Sequence, residues 1–311
     1  METATDGRLA HVHRLARPPA AALDWAAEVV GSPITSVTPL TGGMSTGIHL
    51  LVTAGGERVV MRRFLNEHWL AIDPDLAPRE AAVLQALEAT PVPAPAFVGV
   101  DPYGERSGAP TVLMGFVPGR RTVLDDHRRL AGELARALAM IHDVPVPAVE
   151  GLPDETERIV AAFAEDRPNR HGGTPSASFW AEVRAGYAAV TIGTPVLLHN
   201  DLHPGNVLFD GDRLSAVVDW PLASSGHAAC DVSFCRLDVA LMLGPDAADL
   251  VLAAYEAETG RPLVDVGWWD LVAASRAETD LPVWTESYAG LADVDLATVT
   301  ARFDAFVAAA R

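Results

Sequence analysis

The chain has 311 residues, 49% apolar and 21% charged, which excludes a disordered polymer and suffices for one large domain or two modest ones. Its net charge of −18 argues against a nucleic-acid partner, because such binding depends on cations displacing counterions from phosphates; the same field favours a cationic small molecule, though acidity also serves solubility. All 23 basic residues are arginine, so any phosphate-holding lysine must have a substitute.

The N-terminal residues lack the basic start and apolar run of a secretory leader, and no later stretch approaches about 18 uninterrupted apolar residues. A soluble cytoplasmic protein with no membrane partner is expected. Residues 21–30 read as a short helix and residues 34–40, 48–53 and 58–64 as strands. Short glycine-rich turns at 41–47 and 54–57 join them into an antiparallel meander, which disfavours a βαβ nucleotide fold. A helix over 75–89 carries Ala81, Leu84 and Leu87 on one face and is stopped by the prolines of 91–95. Strands over 97–100 and 111–117 complete a sheet of about five. After the breaker Val117-Pro118-Gly119 the pattern turns helical, with Leu130, Leu134, Ala137, Leu138 and Ile141 sharing a face. Cys230 and Cys235 fit neither a metal pair nor a disulfide framework and read as buried thiols on one helix. The fold class is therefore α+β: a small antiparallel β lobe over 1–117 with one main helix, and a larger, mostly helical lobe over 118–311.

The stretch from Val196 to Trp220 carries the chemistry. Two apolar runs flank an Asp210-Gly211 turn, the mark of a hairpin, and in such a hairpin position 206 lies within about two residues of 219 across the strands. At roughly 3.3 Å per residue, Asn206 and Asp219 can share one hard divalent cation. Magnesium suits the pair, since it takes few protein oxygens and fills its shell with water and phosphate, which implies a nucleotide triphosphate. Asp201 can orient a hydroxyl near the terminal phosphate and accept its proton.

His199-x-Asp201-x-x-x-x-Asn206 followed by Asp219 resembles the catalytic core of the aminoglycoside phosphotransferase family, a branch of the protein-kinase-like fold. The resemblance spans residues 36 to 240 and implies transfer of the γ-phosphoryl group of ATP or GTP to a small-molecule hydroxyl, with Mg2+ and Asp201 as base. It implies further roles residue by residue. Gly42, Gly43 and Ser45 would form the nucleotide loop, Arg62 would stand in for the phosphate-binding lysine, and Glu80 would pair with it. Met114 and Phe116 would belong to the linker that binds the base. His199 and Asp231 would support the catalytic loop. Asn200 departs from the pattern, standing where the family has glycine.

Members of the family act on aminoglycosides, macrolides, choline, homoserine and sugars, so the acceptor stays open, with antibiotic cations such as aminoglycosides first and a macrolide, sugar or amino alcohol as alternatives. Asp238, Glu278 and Asp280 could form an anionic acceptor wall, and Trp284 an apolar one. A monomer or weak dimer is expected. Three other readings compete. His199-x-Asp201-x-His203 could suggest a metal hydrolase, but leaves Asn206 and Asp219 unexplained. Gly43-x-Ser45-x-Gly47 satisfies a hydrolase elbow, but a strand follows where that motif needs a helix. An inactive nucleotide-binding pseudokinase would have to lose a catalytic carboxylate, and all are present.

Overall fold

The computed structural model describes residues 15–40, 46–149, 151–155, 159, 177–186, 189–190, 193–278 and 281–311. The chain divides into two compact units, the first comprising the described residues up to Thr90 with Ala94–Pro118 and Asp219–Leu222, the second the remainder. The return of Asp219–Leu222 to the first unit is absent from a linear division at 117/118.

The first unit begins with α1 (Ala20–Val30), closed by Gly31 at φ 68°, whose N–H reaches back to Ala27 and Glu28 carbonyls. Only glycine takes that left-handed cap without strain. Strands β1 (Ile34–Pro39), β2 (Thr46–Thr53) and β3 (Arg58–Phe64) follow as an antiparallel meander, then α2 (Glu67–Ile72) and α3 (Leu76–Leu87). β4 (Phe97–Asp101) and β5 (Thr111–Gly115) complete an antiparallel sheet in the order β1-β2-β3-β5-β4. Alternation along β2 and β3 sends Leu51, Val59 and Met61 inward, where they meet Leu113 and the Trp25, Ala22 and Ala26 face of α1. The expected five-stranded sheet is present, with its last strand ending at Gly115.

The second unit is helical, and its register is set by polar caps. α4 (His127–His142) starts at Asp126, whose carboxylate accepts from the Arg128 and Arg129 amides, and it buries Leu130, Leu134, Ala137, Leu138 and Ile141 as its periodicity predicts. α5 (Ala177–Gly186) precedes two small sheets. In one, β6 (Val196–Leu198) pairs with β9 (Ser224–Gly226); in the other, β7 (Val207–Asp210) and β8 (Arg213–Val217) form a hairpin turned at Gly211, φ 58°. α6 (Ala228–Leu243), α7 (Pro245–Thr259), α8 (Val266–Ala277), α9 (Leu281–Ser287) and α10 (Leu296–Ala309) complete the unit.

α6 is the axis of the helical core, buried from Ala229 to Met242, with α7, α8 and α10 packed around it. It therefore carries its charges inside the protein, and each has an answer. Arg236 donates to both Asp270 oxygens, at 3.2 and 3.1 Å, and to the Ala248 carbonyl at 3.0 Å. An unpaired guanidinium there would cost several kcal/mol, roughly. Cys230 and Cys235 are buried free thiols on this helix, as expected. Among the described residues, no helix is long and apolar enough to cross a membrane.

Candidate active site

In the first unit the site is organised around Arg62 on β3. Its Nη1 donates to Glu80 Oε1 at 3.0 Å and its Nη2 to Asp219 Oδ1 at 2.6 Å. Burial alone would lower the guanidinium's proton affinity, but the carboxylates of Asp219 and Glu80 more than reverse that and hold the cation firmly charged. Glu80 is 1% exposed, so its carboxylate depends on this partner. The geometry brings Arg62, Glu80 and Asp219 together, although they stand far apart in the chain.

The segment that carries Asp219 is fastened to α3 by two neighbouring residues. Glu80 Oε1 accepts from the Trp220 amide at 3.4 Å, and Arg79 donates to the Pro221 carbonyl at 2.7 Å while gripping Asp73 through both of its oxygens. Asp219 stands at φ 75°, a left-handed conformation costly for most residues and more tolerable for aspartate. Arg79 is a residue that sequence reasoning missed; its partner is a backbone carbonyl, which leaves no sequence signal. Met114 is buried in β5 opposite Val60, and the Phe116 ring lies under the Arg58 guanidinium at 4.2 Å. Gly42, Gly43 and Ser45 lie outside the described residues, as does Asp280.

In the second unit, the loop between β6 and β7 presents Asp201. The Asn206 amide donates to Asp201 Oδ2 at 2.7 Å and to the Asp201 carbonyl at 2.8 Å. With the amide nitrogen so committed, the remaining polar atom of that side chain is Oδ1, an oxygen donor of the kind a hard cation takes. The hairpin register sets Val217 opposite Val207, and the Val218 amide donates to the Asn206 carbonyl at 2.9 Å. Asp219 is the next residue in the chain.

His199 is fully buried beneath this loop. Its Nδ1 accepts from the Asp201 amide at 3.2 Å, which leaves Nε2–H to donate to the Val218 carbonyl at 3.0 Å and so fixes the neutral tautomer. Asp231, near the start of α6, holds the same loop from behind. Its Oδ2 accepts from the His199 amide at 2.8 Å and its Oδ1 from the Asn200 amide at 2.7 Å. His142 Nε2 adds a third donor at 3.3 Å, itself oriented by the Tyr255 hydroxyl at 2.7 Å from Nδ1. Burial would raise the Asp231 carboxyl, but the hydrogen bond and charge of His142 and the contacts from His199 hold it below the usual range. His142 and Tyr255 were also missed: they come from α4 and α7, and nothing local in the sequence ties either to the loop.

The residues expected at an acceptor wall have different surroundings. Asp238 lies inside α6, accepts from the Tyr288 hydroxyl at 2.8 Å, and is pushed up by burial. Tyr288 is raised by burial and by the charges of Asp238 and then Asp201, so this pair lies within the electrostatic reach of the loop that presents Asp201. Glu278 is buried just beyond α8. Trp284 is half-buried on α9 and packs against the helical core, the ordinary role of such an aromatic.

The family model described as the phosphotransferase enzyme family, APH, matches residues 36–266, well over half of the chain. The chain belongs to that family. Its similarity to individual members is distant. A homoserine kinase of Bradyrhizobium is 30% identical over 138 residues, and the chain spans only 42% of that enzyme's length, with 43% of this chain matched. Among solved structures, an aminoglycoside phosphotransferase, APH(4)-Ia, in ternary complex with ADP and hygromycin B superposes with a TM-score of 0.61 at 15% identity, covering 93% of this chain and 98% of that one. Macrolide 2'-phosphotransferase MphH from Brachybacterium faecium superposes at 0.58 and 18% identity, over 93% and 96%. These likenesses establish the protein-kinase-like fold.

Proposed function

We propose that the chain is a kinase that moves the γ-phosphoryl group of ATP or GTP to a hydroxyl of a small cationic molecule, an amino alcohol or an aminoglycoside. The observation that carries this reading is the Asp201–Asn206 pair: a carboxylate locked to the amide of a residue whose remaining oxygen can serve a metal. The reaction forms a bond from the acceptor oxygen to the γ-phosphorus and breaks the bond from that phosphorus to the β–γ bridging oxygen. Asp201 orients the acceptor hydroxyl and takes its proton as the new bond forms. Asn206 and Asp219 are the residues that would hold Mg2+, which when bound neutralises charge on the β- and γ-phosphates. Their two hard oxygen donors fit that ion. Two protein oxygens with the rest of the shell filled by phosphate and water suit that ion.

Arg62 supplies a permanent cation in the position the resemblance assigns to lysine, and Glu80 fixes its direction. The ammonium preference rests on the net charge of −18 and on the kinship with homoserine kinases and with the hygromycin B complex. The test is release of nucleoside diphosphate with magnesium and ATP or GTP. The acceptor panel holds homoserine, other amino alcohols, hygromycin B, further aminoglycosides, macrolides and sugars, with Asp201→Asn alongside. Release with an amine-bearing acceptor that Asp201→Asn reduces at least 10³-fold, roughly, supports the reading. Equal release from Asp201→Asn would sink the base assignment, and release only with neutral sugars would sink the ammonium preference.

A further inference from the structure

Position 200 carries a device that the glycine of the family pattern could not supply. Asn200 stands at φ 64°, a conformation that asparagine tolerates better than most residues and that glycine adopts freely. Its side chain then makes contacts of its own: Nδ2 donates to Ser224 Oγ at 2.6 Å and to Glu155 Oε2 at 3.1 Å. The Ser224 hydroxyl donates to the same Glu155 oxygen at 3.1 Å. Glu155 is 1% exposed, and its Oε1 accepts from Arg276, whose guanidinium also sits over the Phe234 ring at 4.4 Å.

The chain around Glu155 is fitted to this place. The Ser225 amide donates to the Pro153 carbonyl at 2.9 Å, which lays residues 153–155 along β9. Gly226 leaves the space Glu155 needs: a Cβ there would stand 2.9 Å from Glu155 Cβ and 2.8 Å from Leu198 Cδ1. A buried carboxylate with a guanidinium on one oxygen and two donors on the other is fully used, and what it holds is the residue immediately before Asp201.

We propose that Glu155 is a positioning residue for phosphoryl transfer, acting through the Asn200 side chain on the orientation of Asp201. The inference rests on Asp201 as the proton acceptor. Asp231 fastens the backbone amides of His199 and Asn200, the His199 ring holds the Asp201 amide, and Asn206 holds the Asp201 carboxylate. The Asn200 side chain adds a further attachment, on β9 and the 153–155 segment, directly at the residue before Asp201. A misplacement of about 1 Å at a reacting group costs roughly 10²-fold in rate, so the attachment bears on kcat and not on nucleotide affinity.

The test is a double-mutant cycle on the full chain with Asn200→Gly, which keeps the left-handed backbone and removes the amide, and Glu155→Ala. Two readouts are taken: amide hydrogen exchange across 196–208 in the resting protein, and kcat with ATP against homoserine and hygromycin B, with Asp201→Asn as control. Each single variant is expected to raise exchange in the loop and to lower kcat about tenfold with the nucleotide KM unchanged, and the double variant to match the worse single within about twofold. Equal factors for Glu155→Ala with and without Asn200, or an Asn200→Gly loop that exchanges at the wild-type rate, would overturn the proposal. If Glu155→Ala does not fold, Ser224→Ala takes its place, with a smaller loss that must likewise vanish beside Asn200→Gly. An inactive Asp201→Asn with unchanged Asn200→Gly defeats this proposal alone, whereas an active Asp201→Asn defeats the base assignment and this proposal with it.

Discussion

Replacing Arg62 with methionine strips the paired guanidinium from Glu80, a carboxylate that is 1% exposed, and leaves Asp219 beside it. Breaking a buried pair in this way costs about 3–5 kcal/mol, roughly two to four powers of ten in the unfolding constant. Some of the loss is recovered by protonation, and the sign follows from Glu80 itself. Burial already holds its carboxyl above the ordinary range, with Arg62 opposing and Asp219 reinforcing that rise. Without Arg62 the folded-state pKa climbs further above the unfolded value. A group raised on folding contributes stability below its unfolded pKa and loses it as pH rises through the folded pKa. The deficit of Arg62→Met should therefore be smaller at about pH 5 than at about pH 8. The double variant Arg62→Met/Glu80→Leu, which buries no charge at this position, should recover most of the loss. Urea unfolding followed by tryptophan fluorescence at both pH values measures each. Losses that add in the double variant, or a deficit identical at the two pH values, would refute the argument.

Asp231→Asn removes an acceptor of two loop amides and His142; it should cost roughly 2–4 kcal/mol and flatten the acid limb of the stability curve. The sign runs opposite to that of Glu80: a carboxyl held low in the folded state stabilises at neutral pH and loses that contribution as pH falls through its folded pKa, which unfolding between about pH 6 and pH 2 records. Arg79→Ala releases the Pro221 carbonyl and should raise hydrogen exchange across 219–222 while leaving the sheet protected. Asn206→Ala should reduce turnover by at least 10²-fold, roughly, and raise the magnesium concentration needed for half-maximal rate; titration at fixed nucleotide measures it.

What was legible in the sequence was whatever short-range pattern encodes. Alternation marked the strands of the first unit, an Asp-Gly turn set the β7–β8 hairpin with position 206 within about two residues of 219, and the spacing from His199 to Asp219 named the loop. The β6–β9 pairing was not legible, because three-residue strands far apart in the chain carry no periodicity. Long-range polar partners were hidden for a related reason. Arg79, His142, Tyr255 and Glu155 each reach groups on distant elements, and a lone arginine, histidine, tyrosine or glutamate looks the same in the sequence whether it holds a loop or faces water. Asn200 was visible as a departure from the family pattern, but its partners were not.

The guanidinium wedged between Glu80 and Asp219 also decides how this protein can be probed chemically. With no lysine in the chain, reagents that acylate a side-chain amine find no target at this position. Dicarbonyl reagents aimed at arginine would have to break both ion pairs to reach Arg62, whereas exposed arginines such as Arg106 offer themselves first. Covalent nucleotide analogues built for amine capture should therefore leave Arg62 unlabelled.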